Sequence, residues 1–191
     1  MPRRGEQGAN GLGAKKPKSH TIGERDAMDR SKSIELLNQA VADELAAVHQ
    51  YMYFHFHLDD QGFGSLALLF KRTAMEEMMH IERLAERILF LKGEVELTPS
   101  KPIEKVVDPE KLLAKAAAME CQSVNDYNEA AKQCAAHTDA QSKQLFESLI
   151  ADEERHQDQY EKQMENIHRF GPSYLALQAM SAPADKPAAA E

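Results

Sequence analysis

Two Glu-x-x-His motifs are the residues of this sequence best suited to metal chemistry. Glu77 and His80 form the first motif, and Glu153 and His156 form the second. In a helix, residues three positions apart lie about one turn apart on the same face, so each pair can reach a single metal centre. One such pair often occurs by chance on a helix surface. Here, however, both pairs interrupt apolar ridges at positions where the helical spacing calls for a hydrophobic residue.

A repeat of 76 positions relates the two motifs and adds a lone glutamate to each. Glu44, Tyr51, Glu77 and His80 recur with this shift as Glu120, Tyr127, Glu153 and His156. Four coincident shifts indicate a duplicated helical hairpin, with a lone Glu on its first helix and Glu-x-x-His on its second. A buried carboxylate without a partner costs several kcal/mol, so four of them in one core require compensation.

Two divalent cations would balance the four carboxylate charges, and two neutral imidazoles would complete the ligand shells. This is the carboxylate di-metal arrangement of four-helix bundles. Oxygen and nitrogen ligands without thiolate suit iron or manganese, and the set is too rich in carboxylate for a structural zinc site. We favour iron, because an Fe(II) pair can pass two electrons to O₂ or peroxide. The alternatives are chance polar core positions or a salt-bridge network without a ligand.

The spacing also suggests how the ligands divide. Glu77 and Glu153 are the bridging candidates because they share helices with the histidines, which leaves Glu44 and Glu120 as terminal ligands. Tyr51 lies two turns from Glu44 on the same face of its helix. Tyr127 has the same position relative to Glu120 in the second half. That position suits a hydrogen bond to a ligating carboxylate, and core aromatic packing is the alternative.

Four long amphipathic patterns must position these side chains, and they predict an all-α four-helix bundle. The helices are expected over residues 31–59 and 65–92, with Gly93 as a stop, then from Pro109 with Asp108 as N-cap, and from near Asp139 to Gly171. The segment "EVELTPSKPIEKVV" is long for a bundle connection. We expect it to cross the length of the bundle and to make the third helix parallel to the second. A short fifth helix, "PSYLALQAM", follows.

Composition places one domain between two irregular ends. The chain has 191 residues, 42% of them hydrophobic, and a net charge of -8, which disfavours nucleic-acid binding and is compatible with attracting cations. Residues 1–30 form a basic, Gly-rich arm without periodicity that we expect to be flexible, and we expect residues 181–191 to form a disordered tail. No run of 18 apolar residues is present and the N-terminus has no apolar signal segment, so we expect a cytoplasmic protein without membrane contact. The two cysteines form no CxxC pair.

Several segments resemble bacterioferritin, the haem-containing branch of the ferritin superfamily, over about residues 31–180. They are "LNQAVADELAAVHQY", "EEMMHIERLAERILFLKG", "DEERH" and "FGPSYLALQAM". The resemblance implies a ferritin-like fold and the following iron ligands, with Tyr51 beside them: Glu44, Glu77, His80, Glu120, Glu153 and His156. It also implies a homo-oligomeric, hollow shell of 24 subunits that oxidises Fe(II) with O₂ or H₂O₂ and stores a ferric mineral. A ferredoxin-like electron donor would support iron release.

Met78, directly after the Glu of the first motif, is the most distinctive mark of that family. One residue further along a helix is a rotation of about 100°, so Met78 is expected to point away from the di-iron centre. Across a two-fold interface, two such residues could ligate one haem, of the b type or a related porphyrin, from both sides. The alternative is that Met78 packs a helical dimer interface.

Two other functions are open to a di-metal bundle. A rubrerythrin-like peroxidase uses a similar centre, but it normally carries a rubredoxin module with CxxC pairs. A DNA-protecting mini-ferritin places its iron site between subunits, whereas the ligand set here lies within one chain and a fifth helix follows it. We therefore expect a ferroxidase that stores and detoxifies iron.

Overall fold

The computed structural model describes residues 30–180, and within them the chain forms five helices and no strand. The helices are α1 (Arg30–Asp60), α2 (Gly64–Phe90), α3 (Pro109–Ala136), α4 (Ala140–Phe170) and α5 (Pro172–Met180). The predicted all-α bundle with a short fifth helix is confirmed. The predicted N-terminal arm and C-terminal tail lie outside the described residues, apart from Arg30, and stay predictions. None of the described helices has the length and apolarity that a membrane span requires.

The apolar ridges face the inside of the bundle, as their spacing predicts. Every predicted ridge position of α2, and Leu91 directly after the helix, is buried: Leu66, Phe70, Thr73, Glu77, His80, Leu84, Ile88 and Leu91. On α1 the helical spacing predicts a ridge of Ile34, Leu37, Val41, Glu44, Val48, Tyr51, His55 and Leu58. Val48 and His55 are only partly buried, while Ala47 and Phe54 are inside. Phe54 packs edge-on against Phe70 of α2, which explains why this side of α1 is covered.

The end of α2 differs in one detail from the prediction that Gly93 stops it. The left-handed residue is Lys92, with φ of 67°. The Lys92 N–H donates to Leu89 O and the Gly93 N–H donates to Ile88 O, which together satisfy the last carbonyls of the helix. A Cβ atom at Gly93 would lie 2.8 Å from Cγ2 of Ile34, so α1 requires glycine there by its close approach.

The crossover, residues 91–108, runs along the whole of α1. Backbone groups of the crossover are hydrogen-bonded in order to positions along that helix and directly after its end: Glu94 to Asn38, Ser100 to Ala42, Glu104 to Gln50 and Val107 to Gln61. The segment therefore leaves α2 beside the start of α1 and enters α3 beside the end of α1. Because α1 and α2 are antiparallel, α3 runs parallel to α2, as predicted.

Caps fix the starts of the last two long helices. The Asp108 carboxylate accepts the Lys111 N–H at 3.0 Å, and Pro109 occupies the first helical position. The Asp139 carboxylate accepts the Ser142 N–H at 3.1 Å and also binds Arg87 of α2. α1 packs chiefly on α2, and α3 packs chiefly on α4, so the bundle consists of two hairpins.

Candidate di-metal centre

Six predicted side chains converge in the middle of the bundle, where the two hairpins meet. Each long helix supplies one glutamate, and α2 and α4 each add a histidine: Glu44, Glu77, His80, Glu120, Glu153 and His156. All six are buried, and none is more than 3% exposed. Helical ridges bring them here because each replaces a hydrophobic residue on the face that its helix turns inward.

The six residues form two overlapping groups that could each hold a metal ion. One group is Glu44, Glu77, His80 and Glu153, and the other is Glu77, Glu120, Glu153 and His156; within each, the ligand atoms lie within 4.8 Å of one another. Glu77 and Glu153 belong to both groups. Their carboxylates therefore lie where a bridging ligand would have to be.

Both imidazole rings direct Nδ1 towards the carboxylates. His80 Nδ1 lies 2.8 Å from Glu77 Oε2 and 3.2 Å from Glu153 Oε1. His156 Nδ1 lies 3.1 Å from Glu77 Oε1 and 3.2 Å from Glu153 Oε2. Each ring thus presents the same nitrogen to the same pair of carboxylates, which is the arrangement that one ring per metal ion requires.

Two buried tyrosines hold the remaining glutamates, and they do so across the two hairpins. The Tyr51 hydroxyl donates to Glu120 Oε1 at 2.6 Å, and the Tyr127 hydroxyl donates to Glu44 Oε1. The expected bond between a tyrosine and a ligand carboxylate is therefore present. The partner is the glutamate of the other hairpin, because α1 and α3 run antiparallel and bring position 51 beside position 120.

Two acidic residues that the sequence analysis missed contact the outward nitrogens of the histidines. Glu76 Oε2 lies 2.7 Å from His156 Nε2, and Asp152 Oδ2 lies 3.4 Å from His80 Nε2. A carboxylate in this position fixes the ring orientation and tautomer of a metal-binding histidine. The signal was available: each of these residues directly precedes the Glu of a motif, and they obey the same repeat of 76 positions.

Burial of so many carboxylates shifts the pKa values of the centre. Burial, followed by the charge of Glu77, raises the pKa of Glu44 well above its usual value, and burial with the charges of Glu77 and Glu153 does the same for Glu120. Burial alone would lower the pKa of His156, but the adjacent carboxylates of Glu153 and Glu77 raise it to about 11. Protons thus neutralise the centre in the absence of cations, and metal ions would displace them.

Three buried carboxylate oxygens have no aligned hydrogen-bond donor. They are both oxygens of Glu77 and Oε1 of Glu153, the two residues shared by both groups. The nearby imidazole nitrogens are close to these oxygens but lie outside the directions of a hydrogen bond. In a salt-bridge network without a ligand these oxygens would have the nearby imidazole charges but no aligned donor, and a buried acceptor without a donor costs about 1–3 kcal/mol. Cations bound between the carboxylates would satisfy them, so the residues fit a pair of divalent metal ions.

Met78 lies outside this centre on the surface of α2. Its side chain is 57% exposed, and those of Met75 and Met79 are similarly exposed at 58% and 56%. The rotation of one residue from Glu77 therefore directs Met78 away from the carboxylates, as predicted.

Comparison with known proteins agrees with this architecture. A family model described as a ferritin-like domain matches residues 34–170. The bacterioferritin of Rhodobacter capsulatus is 39% identical over 148 residues, which cover 77% of this chain and 91% of that protein. The bacterioferritin of Desulfovibrio desulfuricans is 38% identical over 151 residues, covering 77% and 82%.

Solved structures of two bacterioferritins superpose on the chain. The Desulfovibrio desulfuricans structure, described with its diiron site in different catalytic states, has a TM-score of 0.81 at 35% identity and covers 88% of this chain and 98% of its own. The Rhodobacter capsulatus structure, described with a metal-free dinuclear site and a heme iron in a crystallographic special position, has a TM-score of 0.76 at 37% identity, covering 82% and 98%. With this fold, this buried ligand set and these relatives, the chain belongs to the bacterioferritin family.

Proposed function

We propose that this protein oxidises Fe(II) at the buried di-metal centre and stores the resulting Fe(III) as a mineral inside a hollow shell. The observation that carries the proposal is the buried set of four glutamates and two histidines with unsatisfied oxygens at its middle. The family relationship supports the same conclusion.

The ligand roles follow from which residues the two groups share. Glu77 and Glu153 would bridge two Fe(II) substrate ions, while Glu44 with His80 and Glu120 with His156 would complete the two sites. Two Fe(II) ions supply two electrons, which suffice to reduce O₂ to H₂O₂ or H₂O₂ to water. The chain neutralises the ions, excludes bulk water and releases the histidine protons as the ions bind.

Residues around the ligands keep them in place. Tyr51 and Tyr127 bind the carboxylates of Glu120 and Glu44, so these terminal ligands are oriented before an ion arrives. Glu76 does the same for the His156 ring. We assign Tyr51 and Tyr127 to ligand positioning, which a hydrogen bond to a ligand performs without contact to the metal.

We further propose that 24 subunits form the shell. α5 contributes no buried residue within the single chain, and Met180 at its end is 82% exposed. A nine-residue helix with this much exposed apolar surface gains stability when it packs on other subunits. This supports a role for α5 in assembly.

A haem between two subunits is the remaining part of the proposal. Met78 would ligate it from each side, and its exposed position on α2 suits that contact. Two methionine ligands leave no open position on the porphyrin iron, so the haem would carry electrons for iron release. A ferredoxin-like protein is the partner that we expect to supply those electrons.

Iron loading followed by size-exclusion chromatography tests the central proposal. Fe(II) is added aerobically in large excess over subunits, and iron is measured in each fraction. We expect iron far above two ions per subunit to co-elute with a shell of about 24 subunits, the size that the closed assembly needs. Iron held at two per subunit, with the excess precipitating, would contradict storage and indicate a di-iron peroxidase such as the rubrerythrin-like alternative.

Glu153→Gln tests whether the centre oxidises Fe(II). The substitution keeps the volume of the side chain and removes one carboxylate that both groups share. We expect the variant to assemble and to lose the fast phase of Fe(II) oxidation. Glu154→Gln, the same change at the neighbouring exposed position, serves as the control and should oxidise Fe(II) like the parent. Retention of the fast phase by Glu153→Gln would count against the assigned centre.

A further inference from the structure

A single arginine joins the two carboxylates that lie behind the histidines. Arg155 Nη2 donates to Glu76 Oε2 at 2.7 Å and to Asp152 Oδ1 at 3.0 Å. The same Glu76 oxygen lies 2.7 Å from His156 Nε2, and the other oxygen of Asp152 lies 3.4 Å from His80 Nε2. One guanidinium is therefore connected, through one carboxylate each, to both histidines of the centre.

These residues line a surface cavity whose inner wall includes His80 of the centre. It has a volume of about 230 Å³ and is lined by Glu76, Met79, His80, Arg83, Asp152 and Arg155. The His80 ring, which faces the carboxylates with Nδ1, forms part of the wall. The cavity thus lies directly outside the di-metal centre.

The two halves of the internal repeat differ in charge at the position of Arg155. Glu76 and Asp152 are counterparts in the two halves, but the counterpart of Arg155 is Met79. Arg83, the other basic residue of the cavity, lies 3.9 Å from Asp152 and is bonded to Ser148. Arg155 is therefore the cation that serves both outer carboxylates.

Two carboxylates that converge on one point, beside an imidazole, are an oxygen-rich set that divalent cations also favour. A guanidinium occupies that point here, and it stays charged at all relevant pH values. We propose that Arg155 takes the place of a third metal ion. It limits the centre to two ions and positions Glu76 and Asp152 behind the histidines. This inference rests on the proposed function, because it concerns the number of ions that the same centre accepts.

The substitution that tests this role should leave the fold intact. The side chains of Arg155 and Glu76 are each 44% exposed, and a partly exposed ion pair contributes little to stability. Arg155→Gln removes the charge and leaves a shorter polar side chain. Arg155→Lys keeps the charge. Arg83→Gln is the matched control, because it removes a positive charge from the same cavity without touching Glu76.

Anaerobic titration with Co(II), followed by its visible absorbance and by calorimetry, counts the ions without any oxidation. We expect two Co(II) ions per subunit for the parent chain, for Arg155→Lys and for Arg83→Gln. We expect a third, weaker ion for Arg155→Gln. Adding Asp152→Asn to Arg155→Gln should remove this third ion again.

The outcomes separate this inference from the proposed function. Two ions in the parent and two in Arg155→Gln would overturn the role of Arg155 and leave the di-metal centre intact. A third ion in Arg155→Lys would also overturn it, because the positive charge would then not be what excludes the ion. Failure of the parent to bind two ions, with no difference from Glu153→Gln, would overturn the proposed function itself.

Discussion

Among the single residues, the buried glutamates that could bind cations also lower the stability of the metal-free protein. Four carboxylates in one buried cluster repel one another, and the raised pKa values of Glu44 and Glu120 are the consequence of burial and of that repulsion. Cations remove this cost when they bind. Metal-free protein should therefore be less stable than a variant with one carboxylate fewer.

Glu120→Gln tests this expectation directly. The amide is neutral and can still accept the hydrogen bond of Tyr51 through its oxygen. We expect the metal-free variant to be more stable than the parent by about 1 kcal/mol, because the parent must either protonate Glu120 or bury its charge beside Glu77 and Glu153, and the neutral amide does neither. Thermal unfolding with and without Co(II) measures this, and the gain in Tm on adding Co(II) should be smaller in the variant.

An exposed glutamate on the same helix provides the control. Glu129→Gln changes only exposed contacts with Lys132 and Gln133 and should leave both Tm values within error of the parent. A fall in the metal-free Tm of Glu120→Gln would contradict the idea that the cluster is strained without cations.

Residue spacing was sufficient to predict that these six Glu and His side chains meet, because they interrupt the apolar ridges at positions that the 76-residue repeat relates. The contacts around them could not be predicted in the same way. Tyr51 binds the glutamate of the other hairpin, and Glu76 binds His156 of the other hairpin. These partners are set by the packing of two hairpins, which the periodicity of one helix does not encode.

At the scale of the helices, the start of α4 is joined to α2 through Asp139. This carboxylate caps α4 at Ser142 and binds the partly buried guanidinium of Arg87. Burial opposes its negative charge, but the bonds to Ser142 and Arg87 hold the pKa of Asp139 below its usual value. A group with a lowered pKa stabilises the fold above its unfolded pKa, and this contribution is lost as the pH falls through its folded pKa.

Asp139→Asn should therefore destabilise the protein most near neutral pH. Asparagine is a good N-cap, so the expected loss of about 1–3 kcal/mol comes from leaving the Arg87 charge without its partner. Urea unfolding at neutral and at acidic pH measures the difference from the parent. The difference should shrink at acidic pH, where Asp139 of the parent is itself protonated.

The N-cap of α3 gives a matched comparison. Asp108 caps Lys111 on an exposed surface, so Asp108→Asn should cost only a few tenths of a kcal/mol at either pH. An equal loss for both variants at neutral pH would mean that the Arg87 pair contributes nothing beyond the cap.

Helix boundaries were predictable where a local signal exists, as at Asp108 with Pro109 and at Gly171. The reason for glycine at position 93 could not be predicted from the sequence. The φ of Gly93 does not require glycine, and the reason for glycine is the approach of Ile34 from α1. Likewise, the buried arc of α1 includes Phe54 because Phe70 lies opposite. Both depend on distances between helices that a single pattern cannot supply.

At the scale of the whole molecule, the exposed apolar side chains indicate where subunits would meet. Met75 and Met78 are each more than half exposed on α2. Burial in an assembly would remove this apolar surface from water. Periodicity within one chain could not predict such contacts, and the resemblance to bacterioferritin supplied the expectation of a shell and a haem.

Met78→Leu tests the proposed haem site. Leucine keeps the size and apolarity of the side chain but has no thioether sulfur, so the shell should assemble without haem. Absorbance of the purified shell in the haem region, relative to protein, measures the occupancy. Met79→Leu, one residue away on another face of α2, is the control and should retain haem. Haem absorbance in Met78→Leu equal to that of the parent would contradict the assignment.

The repeat of 76 positions also bears on how such a centre can originate. Each hairpin carries half of the six side chains, so two copies of one hairpin related by a two-fold axis would already possess the complete set. As separate chains, they would assemble only at sufficient protein concentration. The crossover that is hydrogen-bonded along α1 turns this encounter into an intramolecular one, with an effective concentration on the order of millimolar. Fusion of the two copies would thus make metal capture independent of how much protein the cell holds, and would free each copy to diverge, as Met79 and Arg155 have done.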